Sequence, residues 1–350
     1  MRLSYQTTAN DLKNRRKQTM GGYSMLNKIT IGIVLVVVTT LTACSPTNPT
    51  PTISLSLTET PASTPVTGMQ EVNGTSLYYE IIGVGSPLVV LHGGPGGSHS
   101  YFLPSFDALS DEYQLYFYDQ RGTGLSDGHL DLAAISIDQF VEDLEGLRVS
   151  FNLEKMSLLG HSWGGIIALA YALKYPAHLN HLILVDSRPV SNTFGIQLSE
   201  TIQQRVNSLS SDEQNKLTTT CNRPIADLSP VEIETCNQID AELKFYDPSK
   251  AVSVDWPDEE NTIKNSDTVR ALITSSFNKM QNDMDTQLSS LQVPTLIIHG
   301  DFDPIPQGSS EYLQQHIPGS QIVIIPQSGH FPFIEQPEQF VAAVRSFLQK

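Results

Sequence analysis

The chain has 350 residues, enough for one large domain with a sizeable core or for two small ones. Its 21 Lys and Arg against 37 Asp and Glu give a formal charge of −16; residues 1–43 hold six of the basic and one of the acidic residues, so the remainder carries −21. So acidic a surface repels nucleic acid and anionic membrane faces and excludes both as expected substrates, although acidity also simply keeps an exported protein soluble.

Lys28 precedes an apolar run from Ile29 to Leu41, short for a membrane span and of the right length for the apolar region of a signal peptide. The run ends in Leu41-Thr42-Ala43-Cys44, which resembles the lipobox of bacterial lipoprotein signal peptides. The resemblance implies that residues 1–43 are removed and that Cys44 is diacylated. Lipid on Cys44 would hold the protein on the extracytoplasmic side of a membrane without a spanning helix. Ser45 after the Cys favours the outer membrane by resemblance to Gram-negative sorting rules. The alternatives are an uncleaved anchor, or an ordinary signal peptide with an incidental Cys. A start at Met25 leaves the compact leader Met-Leu-Asn-Lys, and Met25 is the expected start. From Ser45 to Gly68, 16 of 24 residues are Ser, Thr or Pro, a composition unable to bury a core, so 44–68 reads as a tether.

The folded part opens with Met69 to Val72 and Leu77 to Ile82 around Asn73-Gly74, the pattern of a tight hairpin. Short apolar strands follow at Leu88–Leu91, Leu115–Tyr118, Met156–Leu159 and Leu182–Val185. Helices are expected at Ile137–Phe151 and Gly165–Leu173. This alternation predicts an α/β fold with a parallel sheet covered on both faces. From about Val190, roughly a hundred polar, helix-like residues intervene before the pattern resumes at Thr295–Ile298. A helix at Ser309–His316, a strand at Gln321–Ile325 and a helix at Pro337–Leu348 close the chain. The reading is a single core, 69–190 and 286–350, with a helical cap, 191–285, inserted; the alternative is a second independent domain. In an exported chain Cys221 and Cys236 either pair or stay as two buried thiols, depending on their separation in space.

Gly160-His161-Ser162-Trp163-Gly164 follows one predicted strand and opens a predicted helix. This is the setting of a nucleophile elbow, in which a sharp turn leaves no room for side chains two residues either side of the serine. The hydroxyl then sits at a helix N-terminus, where backbone N–H groups stabilise negative charge. A serine needs a base, and the base an orienting carboxylate, in the chain order Ser, Asp, His on such folds. His330, after the strand 321–325, is assigned as base, and Asp303, after Thr295–Ile298, as its carboxylate. Asp301 and, more remotely, Asp186 compete for the second role. His92, His161 and His299 fall outside this order and are read as local hydrogen-bonding residues. The glycine-rich loop His92 to Gly97 follows the strand Leu88–Leu91, so the N–H groups of Gly94 and Trp163 are the expected oxyanion hole. The loop lacks the spacing of a phosphate cradle, and nothing in the sequence indicates a metal or another cofactor.

His92 to Gly97, Asp119-Gln-Arg-Gly-Thr-Gly-Leu-Ser126, Ser162-Trp-Gly-Gly165, Asp303 and His330 together resemble the proline iminopeptidase branch of the α/β hydrolases. Residues 75–190 and 290–350 follow that pattern. The resemblance implies an α/β-hydrolase fold and release of an N-terminal residue, often proline, from small peptides through an acyl-enzyme without a metal. His161 departs from it, because these peptidases commonly have Gly there, whereas His is widespread among esterases. The family holds the substrate's amino group with acidic residues of the cap. Glu232, Glu234, Asp240 and Glu242 near Cys236 are the candidates, against the alternative of a solvated helix face. The expected function is therefore an aminopeptidase on short peptides. The alternatives are a carboxylesterase or related acyl hydrolase on the same triad and, more remotely, a surface binding protein without chemistry.

Overall fold

The computed structural model describes residues 64–256 and 260–350; the leader, Cys44 and the tether up to residue 63 lie outside the described residues. Strands β1 (Val66–Val72) and β2 (Thr75–Ile82) pair antiparallel with Val72 opposite Thr75. Asn73 and Gly74 between them have φ of 48° and 74°, as a two-residue turn that follows the strand twist requires. Then come β3 (Ser86–Leu91), β4 (Tyr113–Tyr118), α1 (Ile137–Ser150), β5 (Met156–His161), α2 (Trp163–Lys174) and β6 (Leu179–Val185). Four helices follow: α3 (Asn192–Ser208), α4 (Ser211–Thr219), α5 (Pro230–Lys244) and α6 (Glu260–Gln287). The chain then returns through β7 (Thr295–Gly300), α7 (Gln307–His316), β8 (Gln321–Ile325), α8 (Pro332–Glu335) and α9 (Pro337–Leu348).

The eight strands form one sheet in the order β1-β2-β4-β3-β5-β6-β7-β8, antiparallel from β1 to β4 and parallel from β4 onward. From β3 the chain steps to β4 on one side and later to β5 on the other, so the order reverses between β3 and β5. Such a switch point leaves a crevice at the carboxyl ends of the two strands, and the glycine loop and Ser162 occupy it.

The central strands are apolar on both faces because both are covered. Val89, Leu91, Leu158, Leu182, Leu184 and Ile297 pack with α1, α2 and α6 in one core. Their neighbours Leu88, Val90, Leu159, Ile183, Val185 and Ile298 pack in the other with Phe102, Phe106, Phe333 and Phe340. This two-sided alternation is the period of a strand read on each face. The cap is fastened to both cores, through Val269, Ile273 and Phe277 of α6 on one side and Ala241 of α5 with Phe245 just beyond it on the other. Ser229 and Glu232 form a capping box at the start of α5, with Pro230 at its first position. Cys221 and Cys236 are joined by a disulfide, Cα to Cα 5.6 Å, which ties the end of α4 to α5. Among the described residues no helix is long and apolar enough to cross a membrane.

Candidate active site

Ser162 lies between β5 and α2 with φ of 54° and ψ of −116°, a backbone conformation that non-glycine residues rarely adopt. The turn is so tight that a side-chain carbon on Gly160 would overlap the Gly164 carbonyl, and one on Gly164 would overlap the Leu91 carbonyl. The turn is pinned by Ser162 N–H donating to Val185 O (2.9 Å) and by Gly165 and Arg188 N–H donating to Ser162 O (3.1 Å each). Trp163 is the first residue of α2, so its N–H has no acceptor within the helix.

The structure brings Ser162, His330 and Asp303 together from three loops. His330 Nε2 is 2.9 Å from Ser162 Oγ, and His330 Nδ1 is 3.0 Å from both Asp303 oxygens. Asp303 and His330 are buried and Ser162 half-buried. Burial alone would raise the Asp303 carboxyl, but the charge and hydrogen bond of His330, with His299 nearby, hold it well below the ordinary carboxylate range. Ile305 N–H also donates to Asp303 Oδ1 (3.0 Å).

The two competing aspartates have other work. Asp301 is exposed, and its Oδ1 accepts from Ser328 N–H (3.3 Å), tying the loops after β7 and β8. Asp186 is wholly buried at the end of β6, and its Oδ1 accepts from Gly300 N–H (2.9 Å). Burial first, then repulsion from Asp303, pushes its carboxyl far above the usual range, so Asp186 keeps its proton while Asp303 is ionised. Asp186, His299 and Asp303 offer ligand atoms within 4.8 Å of one another, a spacing that could hold a metal ion. Within this cluster Asp303 is engaged by His330 and Ile305, Asp186 Oδ1 by Gly300 and His299 Nδ1 by Ser310 Oγ at 3.0 Å, while Asp186 Oδ2 is buried without a hydrogen-bond partner among the described residues.

The glycine loop is held by the second motif. Gln120 N–H donates to His92 Nε2 (3.0 Å), so His92 carries its proton on Nδ1, which donates to Gly93 O (2.9 Å). Burial holds the His92 imidazole down to about 4, so it is neutral at pH 7. With Gly93 O turned toward His92, the trans peptide turns Gly94 N–H the opposite way. Asp119 accepts from the N–H groups of His99 and Leu125 (2.8 Å each), and Arg121 makes a buried two-pronged bond to Asp143 (2.7 and 2.9 Å). The Asp119–Ser126 stretch is thus a brace for the site.

Ser162 and His330 open into a cavity of about 190 Å³ walled by Gly93 to Gly97, by Tyr101 and Phe331, and by the cap residues Ile225, Lys244, Trp256, Thr262, Ser266 and Arg270. None of Glu232, Glu234 and Glu242 is in that wall. Glu232 closes the capping box and pairs with Arg223 (2.7 Å), Glu234 accepts from Gln238 (2.9 Å), and Glu242 is exposed on α5. Asp240 pairs with Lys244 (2.8 Å). Sequence reasoning missed the cap wall because its residues come from four separate places, the connections holding Ile225 and Trp256, the end of α5 at Lys244, and α6 at Thr262, Ser266 and Arg270; of the whole wall only Phe331, a core residue next to His330, carried a local signal.

An activated hydroxyl at the switch point of a mostly parallel sheet defines the class: a serine hydrolase of the α/β type. Residues 86–337 match the model described as alpha/beta hydrolase fold, and the chain belongs to that family and, within it, groups with the proline iminopeptidases. It is 32% identical to a proline iminopeptidase of Heyndrickxia coagulans over 76% of this chain and 91% of that one. It is 30% identical to one of Saccharolobus solfataricus over 81% and 92%. A solved thermophilic esterase from Thermogutta terrifontis is 26% identical, with a TM-score of 0.57 over 82% of this chain and 98% of that one.

Proposed function

We propose that this chain is an aminopeptidase that releases the N-terminal residue, proline foremost, from short peptides. The observation that carries the reading is the Ser162–His330–Asp303 relay, in a chain whose 30–32% identical relatives are named proline iminopeptidases. Ser162 Oγ adds to the scissile carbonyl while its proton passes to His330 Nε2, and the oxyanion is met by the N–H groups of Gly94 and Trp163. His330 then gives that proton to the leaving amine as the C–N bond breaks, leaving an acyl-enzyme. Water, deprotonated by His330, adds to the ester, and the released Oγ takes the proton back. Asp303 keeps the imidazole in the tautomer that can accept from Ser162 and stabilises its charge.

A second reading, an esterase on the same triad, draws on the cavity wall: its charged cap side chains among the described residues are Lys244 and Arg270, with no carboxylate to hold an ammonium group. The test is a panel of prolyl and alanyl arylamides against simple acyl esters, with Ser162→Ala as the control. Turnover of arylamides by wild type alone supports the peptidase; brisk ester turnover with inert arylamides hands the case to the esterase.

The place of action belongs to the same proposal. Leu41-Thr-Ala-Cys44 followed by a Ser/Thr/Pro tether supports a lipid-anchored protein on the extracytoplasmic side, and a cystine in the cap accords with an oxidising compartment. Cys44→Ser should move the protein out of the membrane fraction, and an unchanged distribution would refute the anchor.

A further inference from the structure

Three catalytic segments that are far apart in the chain, the glycine loop, the elbow and the His330 loop, meet on one side chain, that of His161. Its Nε2 is 2.7 Å from His330 O and its Nδ1 is 2.9 Å from Tyr101 Oη. Tyr101 Oη in turn is 2.5 Å from Gly93 N. All of these groups are buried. The protons in this chain have only one arrangement. A carbonyl only accepts, so His161 Nε2 carries the hydrogen. The ring is neutral, because burial and the neighbouring His330 push its pKa well below the ordinary value, so Nδ1 is bare and accepts the Tyr101 O–H. The tyrosine has then spent its one proton, and its lone pair accepts Gly93 N–H.

We propose that Tyr101 and His161 are positioning residues forming a rigid, one-directional strut from the oxyanion loop to the backbone of the base, and that this strut sets the oxyanion hole for the transition state. One end fixes the peptide between His92 and Gly93 at its N–H, and the next peptide along bears the Gly94 donor; the other end fixes the carbonyl of His330 itself. Aromatic packing keeps the strut from swinging. Tyr101 stacks against Phe333 with centroids 6.2 Å apart, and His161 meets Phe333 edge-on at 5.2 Å. A side-chain carbon on Gly93 would stand 3.0 Å from Ser162 Cβ, so the loop has little slack, and a small rotation of the Gly93 peptide would move the donor against the reacting carbonyl.

The inference rests on the hydrolase reading and uses Tyr101→Phe, which removes one oxygen and keeps the packing. The strut predicts a kcat lower by about 10- to 100-fold, somewhat less than outright loss of an oxyanion donor, with KM within about twofold. A substrate-like trifluoromethyl ketone, which becomes an oxyanion on adding to Ser162, should lose affinity by the same factor, while a reaction product should not. His161→Leu should behave as Tyr101→Phe, and His161→Gln, which can donate at one end and accept at the other, should recover part of the loss. Unchanged kcat and ketone affinity in Tyr101→Phe, or a loss confined to KM, would overturn the strut. Fluorophosphonate labelling separates the two levels. An unlabelled wild type removes the hydrolase reading and the strut with it. Labelling of wild type and Tyr101→Phe at equal rates removes the strut alone.

Discussion

Three aspartates stand within reach of the His330 loop, and replacing each by asparagine separates their roles. In Asp303→Asn the carboxylate 3.0 Å from His330 Nδ1 becomes an amide. The imidazolium formed during attack then loses a counter-charge about 4 Å away. At an effective dielectric constant near 20 this is worth about 4 kcal/mol, or about three decades of rate at 1.36 kcal/mol each. The amide N–H also favours the imidazole tautomer whose Nε2 cannot accept from Ser162, and the combined loss in kcat should be about 10⁴-fold. Asp186→Asn should cost no more than about threefold, because its carboxyl is already neutral and the amide oxygen still accepts from Gly300 N–H. Asp301→Asn, altering an exposed group that among the described residues is bonded to Ser328 N–H alone, should do as little. Steady-state kinetics on whichever substrate of the panel turns over fastest decides the matter. An Asp303→Asn enzyme keeping more than about a hundredth of kcat, or an Asp186→Asn enzyme falling as far as Asp303→Asn, would refute this division of labour.

The same pair makes opposite contributions to stability against pH. Asp303, held low when folded, stabilises above the ordinary carboxylate range, and that contribution is lost as pH falls. Asp186, held high, stabilises below that range and loses its contribution as pH rises toward its folded pKa. Melting temperatures measured across pH should therefore fall less on the alkaline side in Asp186→Asn than in wild type; parallel curves would contradict the protonated state of Asp186. The Cys221–Cys236 bridge closes a 15-residue interval, and removing it with a double serine variant should cost up to about 3 kcal/mol in chemical denaturation. Neither cysteine lines the cavity, so kcat at 25 °C should survive in that variant; loss of activity without loss of stability would show a role in the site itself.

Much of the core was legible because its signals are local. The strand Gln321–Ile325 and the helix Pro337–Leu348 fall where the pattern puts them. The strand expected at Met156–Leu159 runs on to His161, because Gly160 and His161 are buried strand residues whose polarity hides them from an apolar count. The elbow, Asp303 and His330 were readable for the same reason, each following a strand end in chain order. Between Asp301 and Asp303 the sequence offered only position; the structure separates them by burial, after the chain turns at Gly300. The cap carboxylates were not readable. Glu232 and Glu234 are close in sequence to the cystine, but one is spent on the helix cap and the other faces outward, a matter of helical phase and capping that charge alone does not encode. The tie between Tyr101 and His161 spans 60 residues and leaves no local trace at all.

His330 is held from an unexpected quarter. Its N–H donates to the carbonyl of Lys244, the last residue of α5, at 2.8 Å, and a side chain on Gly329 would overlap that same carbonyl. The cap therefore supplies part of the seat of His330, the proposed general base. Grafting a different cap onto this core to change substrate preference would unseat His330 unless the graft delivers a carbonyl at the position of residue 244. Specificity and catalytic competence are inherited together here, and laboratory recombination between relatives should find its productive crossover points outside the stretch that runs from α5 into the loop after it.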